Sequence, residues 1–364
     1  MLNRRGFLRH AAAVTTGVVC VGCGLRYAGA QTAPRREVVV GGRRVRTVDV
    51  HAHCAVPAVL DVVKGTQFER AAKRQLDGNL GFPVETARVA DMNKDGIDVQ
   101  ALSINAFWYG ADRDLARRMF DVQATKLADM CRAIPGRFVG YAPVSLQFPE
   151  LAAEQLDHGM KDLGLIGAAI GGSVEGEEIA SPRFDPFWKK AEELQALVFI
   201  HPQTAPQSTG IAKRVQGSGA LGNVIGNPLE TSLALAHLIF EGTLDKFPNL
   251  KICGAHGGGF LPSYAARMDH GCSVFPAQCK GPILKKRPSE YLKQLYFDTI
   301  VFTGEALRHL VAEHGASQLM IGTDYAVPWV KAPVDHVLNT PGLTDDERIA
   351  ILGGNAAKLI KLPA

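Results

Sequence analysis

The stretch Val48-Asp49-Val50-His51-Ala52-His53 is apolar up to a pair of histidines one residue apart. In a strand, side chains alternate between faces, so His51 and His53 point the same way. Two imidazoles on one face at a strand end fill a core poorly and hold a divalent metal well. The competing interpretation is one buried and one surface histidine. The rest of the chain decides between them.

Seven further apolar runs follow at intervals: 98–104, 137–144, 164–170, 197–201, 250–255, 295–299 and 317–322. Between them, apolar residues recur at three- and four-residue steps over 113–132, 149–162, 185–195 and 304–314, a helical period. The stretch 228–240 opens on Pro228 with Glu230 nearby, a good helix start. Eight apolar strands alternating with helices predict a parallel (β/α)8 barrel, the TIM barrel, in a single domain over 31–364.

Such a barrel places functional groups at the C-terminal ends of its strands. The first run ends in His51 and His53, the fifth in His201, the sixth at His256 before Gly257-Gly258-Gly259, and the eighth at Gly322-Thr323-Asp324. His51, His53, His201 and Asp324 form a set of three nitrogens and one oxygen that suits Zn2+ with a position left open, with Mn2+ as an alternative. The fourth run ends Ala169-Ile170-Gly171-Gly172, without a lysine that could bridge a second metal, so one metal is expected. His256 is read as the base that handles the proton on the attacking or protonating water, with a fourth nitrogen ligand as the other option. Asp324 binds metal and relays a proton. Phe107-Trp108-Tyr109, after the second strand, is a cluster that either stacks on a planar substrate through Trp108 or covers the barrel mouth. His158, His309 and His314 are placed on helix surfaces.

The first 30 residues read as an export signal and not as part of the fold. Asn3-Arg4-Arg5-Gly6-Phe7-Leu8-Arg9 is a twin-arginine pattern, residues 11–23 are small and apolar, and Ala28-Gly29-Ala30 resembles a cleavage site. The expected location is therefore the periplasm. That segment carries Arg4, Arg5, Arg9 and Arg26 and no acid. Without those four, the chain's 40 basic residues become 36, equal to its 36 acidic ones. No basic stripe points to nucleic acid, and no later run is long enough to span a membrane. Of seven cysteines, Cys54, Cys131, Cys253, Cys272 and Cys279 lie beyond the signal. Cys272 and Cys279 either bridge a loop or remain free thiols.

His51-x-His53, Ile200-His201-Pro202, Ala255-His256-Gly257-Gly258-Gly259 and Gly322-Thr323-Asp324-Tyr325 together resemble the signature of the amidohydrolase superfamily, in its aminocarboxymuconate-semialdehyde decarboxylase branch. The segment Asp91–Gln100, Pro288-Ser289-Glu290-Tyr291, Phe297-Asp298 and Gly354-Asn355-Ala356 extend the likeness over roughly residues 45 to 362. The resemblance implies a single-zinc barrel that releases CO2 from a small carboxylic acid without oxygen or an organic cofactor. It also implies that Arg267 grips a substrate carboxylate in the partner subunit's site of a homodimer. The branch's other substrate arginine has no counterpart in the loop 55–82, where Arg70 and Arg74 do not match, so the resemblance does not carry the aminocarboxymuconate substrate over to this chain. A hydrolase of a lactone, amide or C–C bond would use the same ligand set.

Overall fold

The structure, a computed structural model, describes residues 34–77, 86–203, 210–279 and 284–362. The twin-arginine segment read at 1–30 lies outside the described residues. Eight short parallel strands form the centre: β1 (Val48–His53), β2 (Val99–Ser103), β3 (Phe138–Gly140), β4 (Gly167–Ile170), β5 (Leu197–Ile200), β6 (Lys251–Gly254), β7 (Tyr296–Asp298) and β8 (Leu319–Met320). Each lies inside one of the eight apolar runs.

The strands pair in chain order. β1, β2 and β3 form one ladder, and β4 through β8 form the other. Parallel bridges Ala142–Ala168 and Asp49–Ile321 join the two ladders at both edges and close the ring. Closure removes the exposed sheet edges that an open parallel sheet would leave. The pairing of β1 on β2 shifts register between Asp49 and Ala52. A bulge of that kind re-aims side chains, and here it falls at the first metal-ligand candidate.

Helices follow the strands around the outside: α1 (Thr86–Asp95), α2 (Arg113–Ala133), α3 (Pro149–Lys161), α4 (Asp185–Leu194), α5 (Asn227–Phe240), α6 (Ala265–Val274), α7 (Gly304–His314) and α8 (Asn355–Leu359). Local chemistry sets their starts. Asp112 accepts the Leu115 N–H ahead of α2, and Thr303 accepts that of Ala306 ahead of α7. Proline opens α3, α4 and α5, where its missing N–H costs nothing.

The barrel is plugged by side chains. Tyr141, Phe199, Cys253 and Met320 are wholly buried. Tyr141 stacks on Phe199 with ring centroids 5.6 Å apart, and its hydroxyl donates to the Val50 carbonyl at 3.1 Å. Phe199 in turn meets the His51 ring at 4.8 Å, so this plug is the floor on which the histidines stand.

Candidate metal centre

The ligand-capable atoms of His51, His53, His201 and Asp324 lie within 4.8 Å of one another. That grouping gathers one donor from each of four residues at strand ends around a common centre, the kind of set that binds a divalent metal. His51 Nε2 is 3.1 Å from His53 Nε2, and Asp324 Oδ1 lies 2.9 Å from the latter and 3.3 Å from the former. The His201 ring centroid lies 5.0 Å from that of His51 and 4.5 Å from that of His53.

Outer partners decide which nitrogens face inward. The Asp298 carboxylate lies 2.7 Å from His51 Nδ1. The Ser103 hydroxyl donates to the Ala52 carbonyl at 3.2 Å and so accepts from His53 Nδ1 at 3.0 Å. Both rings therefore keep a proton on Nδ1 and leave Nε2 as the atom that a bound metal would take in place of a proton. With a metal in place, two imidazole lone pairs and a carboxylate oxygen would converge on it; without one, His51 Nε2 shares a proton with Asp324 Oδ1. His201 adds a buried Nδ1 with no hydrogen-bond partner. A cation satisfies all of these groups, and the residues present fit one divalent metal.

Electrostatics agree. Burial, followed by the neighbouring histidines, holds His201 well below its usual pKa, so it stays neutral. Burial also works against charge on Asp324, but hydrogen bonds from His51 and His53 override it and keep the carboxylate ionised far below the usual range. Burial lowers His53, with Asp324 partly opposing. Neutral imidazoles and an ionised carboxylate are the forms that ligate, and of the four groups His51, whose hydrogen bonds to Asp298 and Asp324 outweigh burial and lift it to about 10, is the one that a metal must strip of a proton.

Backbone strain marks the same place. His256 and Asp324 both have positive φ, 57° and 55°. Side chains rarely adopt that region, and where they do the surroundings over-determine it. For Asp324 the surroundings are Asp49 and His51. Asp49 accepts the Thr323 hydroxyl at 2.7 Å, the Thr323 N–H at 3.1 Å and the His51 N–H at 3.0 Å, while the Asp324 N–H donates to the His51 carbonyl at 2.8 Å. Burial pushes the Asp49 carboxyl up to about 6, against its hydrogen bonds from Thr323. For His256 the anchor is Asp298, which accepts the N–H groups of His256 at 2.9 Å and Gly257 at 3.0 Å. Gly259 completes the turn with φ 66°, and a Cβ there would sit 2.1 Å from the Pro228 carbonyl.

The His256 ring stands 5.3 Å from His51 and 5.4 Å from His201, with Nδ1 buried and unpartnered. Burial pushes its pKa down to about 4, helped by the charge on His51. It is a neutral imidazole beside the ligand cluster.

The other expected site residues lie elsewhere. Trp108 is fully buried in the outer core and donates its indole N–H to the Val144 carbonyl at 3.1 Å, so it presents no open ring to a substrate. Tyr109 is also buried, and its hydroxyl accepts the Gly171 N–H at 3.1 Å. The half-buried Phe107 is the member of the triplet left near the surface. Arg267 is exposed on α6 and, among the described residues, forms no hydrogen bond or ion pair. His314 departs from the expectation of a helix surface. It is buried, with its ring stacked on Phe297 at 4.2 Å, because the end of α7 turns in against β7. Cys272 and Cys279 form a disulfide.

Several residues that build the site carried no assigned role in the sequence: Asp49, Ser103, Asp298 and the buried Arg88. The Arg88 guanidinium donates to the His53 carbonyl and covers the Tyr325 ring at 4.4 Å. Asp298 had two available signals, its position at the end of the seventh strand and its place in the Phe297-Asp298 motif of the family resemblance.

A family model described as Amidohydrolase matches residues 48–362, and the chain belongs to that family. It is 31% identical over 325 residues to 2-amino-3-carboxymuconate-6-semialdehyde decarboxylase of Dictyostelium discoideum, covering 87% of this chain and 84% of that protein. Its fold matches the crystal structure of 5-carboxyvanillate decarboxylase from Sphingomonas paucimobilis, with a TM-score of 0.80, 24% identity, and coverage of 88% of this chain and 100% of that one. A dihydroxybenzoic acid decarboxylase from Polaromonas sp. JS666, solved with bound manganese and the inhibitor 2-nitroresorcinol, matches with a TM-score of 0.73 and 28% identity, covering 87% of this chain and 97% of that one.

Proposed function

We infer that the protein is a metal-dependent carboxy-lyase that removes CO2 without oxidation from an aromatic or unsaturated carboxylic acid. The observation that carries this is the convergence of His51, His53, His201 and Asp324 with a neutral His256 beside them. The decarboxylases to which the chain is similar support loss of CO2 over hydrolysis on the same ligand set.

A divalent cation held by those four residues supplies a Lewis acid that polarises a substrate oxygen. The chain's own residues manage the proton. Loss of CO2 requires one proton added at the carbon bearing the carboxylate, while the electrons of the broken C–C bond return to that carbon's conjugated system. His256, neutral and held in place by Asp298, accepts and returns a proton at neutral pH. Asp324, ionised and buried, relays it. The floor of Phe199 and Tyr141 keeps water out from below.

The metal in this reading is zinc, which three imidazoles and one carboxylate suit, with manganese, present in the Polaromonas relative, as the alternative. Arg267 grips a substrate carboxylate in the neighbouring subunit of a homodimer. Its unpartnered guanidinium supports this, as do the exposed Phe260, Tyr264, Val274 and Phe275 around it, an apolar surface of a kind that marks contacts between chains. The chain is a single domain after its signal and works in the periplasm. The twin-arginine pattern and the Cys272–Cys279 disulfide, at home in an oxidising compartment, support that location.

Elemental analysis of the purified protein, coupled to a screen for CO2 release from dihydroxybenzoic and muconate-like acids, tests the proposal. A bound divalent metal with CO2 release supports it. Metal with water uptake and no CO2 would assign the site to hydrolysis instead.

A further inference from the structure

The helix α5 begins where three strand-end loops meet. Its residue Glu230 is a carboxylate only 8% exposed. Both of its oxygens accept the Gln203 N–H, at 3.3 and 3.2 Å, and it also accepts the Gly172 N–H. Gln203 lies two residues beyond the ligand His201, and Gly172 two residues beyond the end of β4. The fit is close: a Cβ on Gly172 would lie 2.8 Å from Glu230 Cγ. Two residues along the same helix, the Ser232 hydroxyl accepts the Phe260 N–H at 2.7 Å, on the loop that carries His256. Burying a carboxylate is costly, and its desolvation pushes Glu230 up to about 7. A core built for stability alone would place an apolar residue here.

We propose that Glu230 is a positioning residue for the metal centre, fixing the segment His201-Pro202-Gln203 so that the His201 imidazole stays aimed at the metal. The inference rests on the metal-centre reading but not on the identity of the substrate. Only backbone N–H groups join Glu230 to that segment, so the tie acts through chain geometry. Ser232 plays the corresponding part for the His256 loop and leaves His201 untouched. This makes a substitution at Ser232 the control on the same helix.

The test is the affinity of the full chain for Mn2+ and for Zn2+, each measured by calorimetric titration of chelator-treated protein. Melting temperatures of the metal-free proteins are read alongside. The expected result is a tenfold or greater weakening of metal binding in Glu230→Ala. Glu230→Gln, which keeps the shape and one acceptor oxygen, should fall between that variant and wild type. Ser232→Ala should stay within about twofold of wild type, and the metal-free melting temperature of Glu230→Gln should be unchanged. Metal affinity of Glu230→Gln equal to wild type would overturn the proposal, as would a loss in Ser232→Ala matching that in Glu230→Gln. A wild-type protein that holds no metal would overturn it together with the metal-centre reading. Wild type that holds metal alongside unaltered variants would overturn the positioning role alone.

Discussion

The carboxylate of Asp298 meets His51 Nδ1 at 2.7 Å and, through the same oxygen, accepts the backbone N–H of His256 at 2.9 Å. One buried side chain thus holds both His51 of the candidate metal cluster and the neighbouring His256. Burial opposes its charge, but the hydrogen bond from His51 outweighs this and keeps the carboxyl below its usual pKa. Asp298→Asn retains the volume but sets an amide N–H against groups that are already donors. Metal affinity should drop ~10- to 100-fold, the size of effect seen when a ligand loses its outer partner. Titration of the variant with Mn2+ checks this, and wild-type affinity would remove Asp298 from the site.

His256 separates the roles of base and ligand. As a base outside the ligand set, its loss in His256→Asn should leave the metal bound while turnover drops ~10²- to 10⁴-fold. Metal analysis and rate measurement on the same sample decide the question. Loss of metal along with activity would make His256 a fourth nitrogen ligand.

His51 makes the metal-free protein sensitive to alkali. Burial opposes its charge, yet hydrogen bonds to Asp298 and Asp324 prevail and lift its pKa to about 10. The unfolded chain protonates the same group with a pKa of ~6.5. A raised folded-state pKa contributes stability that is complete below the unfolded value and disappears as pH rises through about 10. The metal-free protein should therefore melt at progressively lower temperature between pH 8 and pH ~10.5, while the metal-loaded form, in which the cation replaces that proton, declines less. Calorimetry at pH 8 in buffers of different ionisation heat should also show proton release on metal binding. Binding without proton release would contradict the assignment.

The proposed role of Arg267 ties activity to assembly and can be tested by mixing variants. If it serves the partner's site, Arg267→Ala and His256→Ala are each inactive alone, yet a mixture of the two refolded together should regain activity. Every mixed dimer has one site carrying both lesions and one carrying neither, so recovery should approach roughly a quarter of wild type. Light scattering on the same mixture gives the oligomeric state. No recovery from a dimeric mixture would confine Arg267 to its own subunit.

The barrel could be read from the sequence because its strands are buried on both sides and stand out as apolar runs, and because helix-period stretches alternate with them. The ligand set was legible for a related reason: each member ends a run, and barrel geometry converts strand ends into neighbours. The supporting shell was not legible in this way. Asp298 and His51 are 247 residues apart, and Asp49 and Thr323 are 274 apart. Their pairing depends on ring closure by the parallel bridges Asp49–Ile321 and Ala52–Tyr325. Trp108 shows the opposite limit. An aromatic triplet after a strand fits a substrate platform and a core plug equally well, and only the partner of its indole N–H, the Val144 carbonyl, separates the two.

The central claim is metal-dependent loss of CO2. The most direct measurement is trapped CO2 from a dihydroxybenzoic acid incubated with the protein as purified, after chelator treatment, and after Mn2+ or Zn2+ is restored. The account predicts release, its loss on chelation and its return with metal. Release that persists in metal-free protein would contradict it.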